Sequence, residues 1–221
     1  MKAFLPIAAL LTFSFAAAQE PSEILVIEKG TWNLIGNVAL SFQNNENGFN
    51  QQENTFESTS NFFSLAPSFG YAIKNDLVIG ARLQYRHQKT ENSNTGPDQD
   101  NRSTFTNQLV GITPYIRGYK GIGKQLSLYL QGEASYGRFW STAQQNGETE
   151  TNDQNGNNLF VGIRPGITYF LNKKLAVEST FGSLGYTYSK GESDQGSYGK
   201  TNSFNLNLNT SELFFGIAYY F

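Results

Sequence analysis

Apolar residues alternate with polar or small residues along most of the chain, from Thr31 onward. In the first such segment Trp32, Leu34 and Phe42 share one face, whereas Asn33 and Ser41 share the other. A period of two places successive side chains on opposite faces of a β-strand. The same pattern occurs in eight segments, which begin at Trp32, Phe63, Leu77, Val110, Leu126, Leu159, Leu175 and Leu213. The sequence therefore predicts an all-β protein of eight antiparallel strands.

The connectors between these segments alternate between short turns and long polar loops. Residues 74–76, 118–124 and 172–174 are the short turns, and residues 44–54, 89–103, 141–158 and 189–203 are the long loops. This alternation places all the long loops at one end of an up-and-down arrangement. The short turns follow an internal repeat that aligns on Pro67, Pro114 and Pro165. A proline within a strand normally indicates an edge or a bulge.

Composition excludes several classes of protein. The 221 residues contain no cysteine, so disulfide scaffolds and thiolate chemistry are excluded. With 38% hydrophobic residues, the chain is too polar for several transmembrane helices of about 20 apolar residues each. The formal net charge of −2 does not favour nucleic acid, whose binding proteins usually carry a concentrated basic face.

The first residues have the pattern of a secretory signal peptide over Met1 to Ala18. Lys2 supplies the positive charge, residues 4–15 form a short apolar stretch, and residues 16–18 are alanines at the expected cleavage site. Cleavage would make Gln19 the new N-terminus. Residues 19–30 then form an N-terminal periplasmic segment, and the domain of strands covers residues 31–221. The alternative is an uncleaved membrane anchor, although the apolar stretch is shorter than a spanning helix.

The alternation leaves open which face of the strands points outward. A secreted sandwich or a soluble barrel would hold the apolar face inside. Against this, the polar face is rich in small residues, and aromatic residues mark both ends of the apolar face, as expected at the two interfaces of a bilayer. The aromatic residues near the short turns are Trp32, Tyr71, Tyr169, Tyr219 and Phe221, and those near the long loops are Phe42, Phe63, Tyr85, Tyr136 and Trp140. Because lipid cannot satisfy backbone groups, the expected fold is a closed eight-stranded transmembrane β-barrel.

The signal peptide, the eight strands and the final segment LFFGIAYYF resemble the outer membrane β-barrel family of Gram-negative bacteria, in its OmpA/OmpX-like eight-stranded group. The Asn-rich and Gln-rich loops are similar to versions from Bacteroidota. The resemblance implies location in the cell outer membrane, contact with its lipids and lipopolysaccharide, and insertion by the barrel assembly machinery. It also implies a C-terminal assembly signal made of Leu213, Phe215, Ile217, Tyr219 and Phe221.

The phase of the alternation changes within the last strand. Phe204 and Leu206 are out of phase with the segment that begins at Leu213. One extra residue in a strand reverses its facing, so we expect a bulge near Thr210.

If the apolar face is outside, charged residues point into the lumen. An eight-stranded barrel is only wide enough for side chains to fill it, and buried charges must be paired. We therefore expect an ion-pair network made from Arg82, Arg86, Arg117, Arg164, Glu133, Glu178 and Glu212. The alternative for the same residues is a narrow, porin-like channel or a pocket for a small or apolar ligand.

The sequence offers little catalytic chemistry. His87 is the only histidine and has no serine or carboxylate at a short local spacing. Residues 118–124 read G-x-x-x-x-G-K, but Gln125 stands where a P-loop needs Ser or Thr, and a strand follows. The acidic runs at residues 98–101 and 153–157 lack the glycine and the distal glutamate of a calcium loop. We expect no enzyme activity, no cofactor and no metal site.

The expected function is an envelope barrel, monomeric, with a structural or surface-interaction role for its long loops. These loops hold ten acidic residues, namely Glu46, Glu53, Glu91, Asp98, Asp100, Glu148, Glu150, Asp153, Glu192 and Asp194. The short turns are instead rich in lysine, so the two ends carry opposite fields. A lipid-modifying enzyme is the third possibility. No surface partner can be named, and no nucleic acid is expected.

Overall fold

The computed structural model describes residues 24–49, 54–96, 99–146, 148–149, 153–193, 196–207 and 214–221. Within these ranges the regular elements are all β-strands. They are β1 (Trp32–Phe49), β2 (Asn54–Leu65), β3 (Ser68–Lys74), β4 (Leu77–Gly96), β5 (Gln99–Gly121), β6 (Leu126–Gln145), β7 (Glu148–Thr149), β8 (Gln154–Phe170), β9 (Leu175–Thr180), β10 (Ser183–Ser193), β11 (Tyr198–Asn207) and β12 (Phe214–Tyr220).

These elements form a closed barrel of eight antiparallel strands. Four of the eight are interrupted, because β2 continues as β3, β7 as β8, β9 as β10, and β11 as β12, each pair of elements along one path. Each strand pairs with its neighbour in the sequence, and β12 pairs with β1 to close the barrel, with Asn33 opposite Tyr220. The structure confirms the predicted closed barrel of eight antiparallel strands. No helix among the described residues is long and apolar enough to span a membrane.

The alternation places apolar side chains on the outside of the barrel and polar side chains in the lumen. On β1, Leu34 and Leu40 are exposed, whereas Asn33 is buried. On β6, Leu128 and Leu130 are exposed, whereas Gln131 and Glu133 are buried. The distribution of apolar and polar side chains is therefore the reverse of that in a barrel with an apolar core, as the sequence predicts.

The connectors confirm the expected two ends but revise their lengths. At the turn end, connectors 75–76, 122–125 and 171–174 are short. At the opposite end, which we call the hairpin end, the segments predicted as long loops are largely strand. β4 and β5 stay paired from Leu77 and Gly118 up to Gly96 and Gln99. Backbone pairing continues there although the side chains are polar, because ladder hydrogen bonds do not require an apolar face.

The prolines interrupt the ladder in different ways. Pro67 separates β2 from β3 but leaves the register unchanged, since Val38 still pairs with Leu65 and Ile35 with Ser68. Its carbonyl accepts a hydrogen bond from Leu83 N at 2.9 Å.

Pro165 lies opposite a bulge between β9 and β10. Gly166 pairs with Thr180 and Ile163 with Leu184, so three steps along β8 match four steps from β9 to β10. The extra residue lies at Phe181–Gly182, where Gly182 has φ of 68°. Phe181 N donates to the carbonyl of Pro165 at 3.0 Å. The proline thus lies next to a bulge whose position the sequence does not predict.

The last strand changes its facing as expected. Phe204 and Leu206 are 71% and 63% exposed, and Ile217 is 65% exposed, so even-numbered residues face outward in β11 and odd-numbered residues in β12. The switch falls between Asn207 and Phe214. The predicted bulge at Thr210 lies outside the described residues.

The segment before β1 crosses the turn end of the barrel. Ile27 N donates to Asp76 Oδ1 at 2.9 Å, and Asp76 N donates to Ile27 O at 2.8 Å. Leu25 N donates to Gly123 O at 3.0 Å, on a second turn. Ile27 is 4% exposed and belongs to the same buried cluster as Phe170 and Tyr220. Residues 24–30 therefore cap the lumen at this end.

Candidate functional site

A buried ion pair occupies the lumen near the turn end. Arg117 Nη1 lies 2.7 Å from Glu178 Oε2. Tyr220 Oη donates to the other carboxylate oxygen of Glu178 at 2.7 Å, and Arg117 Nη1 also donates to Tyr119 Oη at 2.9 Å. Because every partner is inside the barrel, the two charges are compensated where water is largely excluded.

A second cluster lies one layer toward the hairpin end. Glu133 accepts from Arg82 Nη2 at 2.9 Å and from Arg164 Nε at 2.6 Å, one on each carboxylate oxygen. Gln131 connects this cluster to the first. Its Oε1 accepts from Arg117 Nε at 2.9 Å, and its Nε2 donates to Glu133 Oε2 at 2.5 Å. The two clusters therefore form one continuous network across the lumen.

Aromatic rings and glycines complete the packing of this layer. The guanidinium carbon of Arg117 lies 4.1 Å from the ring centroid of Tyr129, a cation–π distance. The Tyr129 ring lies close to Gly166, where an added Cβ would collide with Cζ and Oη of that ring. The void left in this layer has a volume of only about 20 Å³. The turn-end half of the lumen is thus filled by side chains.

The hairpin-end half of the lumen is open in comparison. A cavity of about 320 Å³ lies above Glu133, with Arg82, Arg164 and Arg86 on its wall. Its floor is the network just described, and beyond that floor the segment around Ile27 caps the barrel. The cavity is therefore a blind recess.

The structure brings together five of the seven residues predicted for the lumen network. These are Arg82, Arg117, Arg164, Glu133 and Glu178. Arg86 lies apart from them, with its guanidinium carbon 5.8 Å from the ring centroid of Phe62. Glu212 lies outside the described residues.

Sequence reasoning missed two tyrosines of this network. Tyr119 falls within the turn expected over residues 118–124, whereas β5 continues to Gly121. The alternation of Tyr115 and Arg117 extends to Tyr119 and could have revealed it. Tyr220 lies between two outward positions and points inward by the same alternation.

The outer surface carries the aromatic residues expected at both ends. At the turn end Trp32 contacts Phe69 and Tyr71, with ring centroids 4.9 and 4.5 Å apart. At the hairpin end Phe63 contacts Tyr85, with centroids 6.2 Å apart.

The residues of the predicted assembly signal are only partly described. Ile217, Tyr219 and Phe221 are exposed on the outer face. Phe215 lies in β12, and at this position only the backbone is described. Leu213 lies outside the described residues.

Ion pairs within single strands reduce the charge of the hairpin end. Lys89 Nζ lies 2.5 Å from Glu91 Oε1, and Lys190 pairs with Glu192 in the same i to i+2 arrangement. The hydrogen bond from Lys89 lowers the pKa of Glu91 below its ordinary value. Four of the ten acidic residues, namely Glu53, Asp98, Glu150 and Asp194, lie outside the described ranges.

Other candidate chemistry does not assemble. Residues 118–121 of the P-loop-like motif are strand, and β6 follows the connector at 122–125. In the described part of the chain, no three His, Asp or Glu side chains lie close enough to hold a metal ion. No known family model matches this chain, and no curated protein matches it either.

Proposed function

We propose that this protein is an integral outer membrane β-barrel whose lumen is closed by side chains at the turn end. Its role is structural or surface-interacting, through the polar hairpins at the other end. The observation that carries the proposal is the inverted distribution of residues, with apolar side chains exposed around the barrel and the arginine–glutamate network inside. Soluble proteins rarely expose a contiguous apolar surface of this kind, which marks contact with a membrane or another protein.

The height of the apolar surface supports the same proposal. On β1 the outward apolar residues run from Trp32 to Phe42. Ten steps at about 3.3 Å each, tilted by about 40°, rise about 25 Å, which is the height of the lipid-facing band of such barrels. Aromatic residues lie at both limits of this band, where the interfaces of a bilayer would be.

The resemblance to the OmpA/OmpX-like group belongs to this proposal, with its lipid contacts and its route of assembly. A signal peptide over residues 1–18 would deliver the chain to the envelope, and we propose that the barrel is monomeric there. We assign it no enzymatic activity and no cofactor. Mass spectrometry of lipid A from cells with and without the protein would detect the lipid-modifying alternative.

The lumen disfavours a conducting channel. The network from Arg117 to Glu133 crosses the barrel, and the segment at Ile27 caps the turn end. We expect planar-bilayer recordings of the refolded protein to show no discrete conductance. Regular single-channel steps would contradict a closed lumen.

The absence of cysteine makes a direct test of the membrane proposal possible. Single cysteines at Leu128 and Ile163 would lie on the apolar band, and a cysteine at Thr201 would lie on a hairpin. In lipid vesicles we expect a water-soluble maleimide to label the Thr201→Cys variant and to leave the two band variants unlabelled. All three should react in urea. Equal labelling of all three in vesicles would refute insertion through this band.

Cell fractionation tests the membrane itself. We expect the protein in the outer membrane fraction after sucrose-gradient separation. Recovery with soluble periplasmic proteins would contradict the proposed location.

A further inference from the structure

The cavity above Glu133 is a recess inside the barrel wall, and the structural role proposed above does not use it. Its volume of about 320 Å³ is at the lower limit of typical small-molecule sites, which span about 300–1,000 Å³. Solvent reaches it from the hairpin end, since the side chains of Arg82 and Arg164 are 22% and 27% exposed while that of Glu133 is 1% exposed. A ligand of modest size can therefore enter from the side that faces away from the cap.

The charge on the cavity wall is unbalanced. Arg82, Arg86 and Arg164 line the cavity, and Glu133 is the one acidic residue on its wall. Three positive charges and one negative charge leave an excess of two positive charges. A recess with low-dielectric walls concentrates such a field and attracts anions.

Each of these arginines also keeps hydrogen-bond donors free for a ligand. Among the described residues Arg82 uses Nη2 and Arg164 uses Nε for Glu133, which leaves the remaining guanidinium N–H groups of both without a protein acceptor. The Arg86 side chain has no acceptor in the described part of the chain, and its guanidinium carbon lies 5.8 Å from the centroid of the Phe62 ring. Guanidinium groups bind carboxylates through paired, charge-assisted hydrogen bonds.

Part of the remaining wall is apolar, and the rest carries neutral polar side chains such as Ser64, Gln84 and Ser135. Leu109, Phe160, Ala39 and Ala66 line the same cavity. Phe160 also lies under Arg164, with the guanidinium carbon 5.0 Å from the ring centroid. An inorganic anion would leave this surface in contact with water, whereas an apolar group on the anion would cover it.

We propose that this cavity binds a small organic carboxylate with an apolar body, held by Arg86, Arg82 and Arg164 and packed against Leu109 and Phe160. The site depends on the lumen alone and goes beyond the structural role proposed above. It makes the barrel a receptor for an anionic amphiphile at the hairpin end, with the network around Glu133 as its floor.

Two variants impair the site in different ways and leave the ion-pair network intact. Arg86→Gln removes one charge whose loss leaves no carboxylate unpaired. Gly137→Leu adds an isobutyl group at the cavity wall, where a new Cβ meets only ordinary contacts of 3.5 to 3.7 Å. Arg138→Gln is the matched control, because Arg138 is on the same strand as Gly137 but lies on the outer face over Trp140.

The probe is naphthoate, titrated by isothermal calorimetry into the refolded full-length barrel in detergent micelles. We expect saturable binding with one site per barrel. Arg86→Gln should weaken it by about tenfold, as expected for the loss of one charge-assisted contact, and Gly137→Leu should abolish it. Arg138→Gln should bind as the wild type does. Naphthamide and acetate should bind at least about tenfold more weakly, since each lacks one of the two features.

Three outcomes would contradict the proposed site or its ligand class. If naphthoate gives the same heat with wild type and with both Arg86→Gln and Gly137→Leu, it partitions into micelles and the site is refuted. Binding of naphthamide as tight as that of naphthoate would refute the anionic class, and equal binding of acetate would refute the apolar part. Circular dichroism verifies the fold of each variant, and Arg86→Gln alone still tests the site if Gly137→Leu does not fold. The cysteine labelling described above tests the membrane proposal separately.

Discussion

Arg117 and Glu178 are 61 residues apart in the chain and meet inside the barrel, with 2.7 Å between Nη1 and Oε2. Their side chains are 7% and 5% exposed. A buried pair of this kind contributes little net stability against an apolar replacement, but the loss of one partner leaves an uncompensated charge. The contact therefore links β5 and β9, which are not paired in the sheet, across the lumen.

The first prediction concerns the loss of this carboxylate. We expect Glu178→Ala to lower the free energy of unfolding by about 3–5 kcal/mol, because Arg117 would keep its charge without a partner. Tyr220 would lose its acceptor at the same time. Urea unfolding of the refolded barrel, followed by tryptophan fluorescence, measures the change.

The matched control for this prediction is Glu192→Ala, which removes a carboxylate from an exposed pair with Lys190 on a hairpin. We expect no measurable change there. An unchanged unfolding midpoint for Glu178→Ala would indicate that water reaches the lumen near Arg117.

The second prediction concerns Gly166, which makes room for the ring of Tyr129. A Cβ at this position would lie 2.1 Å from Tyr129 Cζ and 2.6 Å from the carbonyl oxygen of Ser179. We expect Gly166→Ala to destabilise the barrel by about 1–3 kcal/mol, as typical of overpacking. Gly132→Ala is the control, since its Cβ would meet only Ile116 at 3.5 Å. Equal stability of the two variants in urea would contradict this packing.

The facing of the strands was predictable because it depends only on a local period of two. The alternation around Leu128 assigns the outer face, and the same alternation assigns Glu133 to the lumen. Eight such segments and alternating connectors are enough to specify an up-and-down barrel. Even the phase change between Phe204 and Ile217 could be read from the sequence.

The contacts inside the lumen could not be predicted in the same way. The choice of Glu178 as partner of Arg117, and of Glu133 as partner of both Arg82 and Arg164, depends on how the strands are staggered around the barrel. That stagger is set by ladder register and by the bulge at Phe181–Gly182, which leaves no clear signal in composition. The N-terminal cap was missed because residues 24–30 have no periodicity.

The third prediction concerns Asp76, which holds that cap in place. Asp76 has φ of 60°, and its Oδ1 accepts from Ile27 N at 2.9 Å. We expect Asp76→Gly to speed hydrogen exchange at the Ile27 amide, because glycine tolerates this backbone conformation but offers no side-chain acceptor. Asp76→Asn keeps both an oxygen acceptor and tolerance of this conformation, so its exchange should stay close to wild type. If exchange at Ile27 is as slow in Asp76→Gly as in the wild type, the Asp76 side chain does not hold the cap.

The fourth prediction concerns the outer face. Ile163 is 40% exposed on β8 and lies between Leu159 and Tyr169, which are near the two limits of the apolar band. If this band faces lipid, an arginine near its middle costs about 2–4 kcal/mol, and the cost falls toward the interfaces. We expect Ile163→Arg to lower the stability of the barrel in lipid vesicles by this amount, and Thr201→Arg on the hairpin of β11 to leave it unchanged. Reversible urea unfolding in vesicles measures both. An Ile163→Arg barrel as stable as wild type would mean that water, and not lipid, surrounds this face.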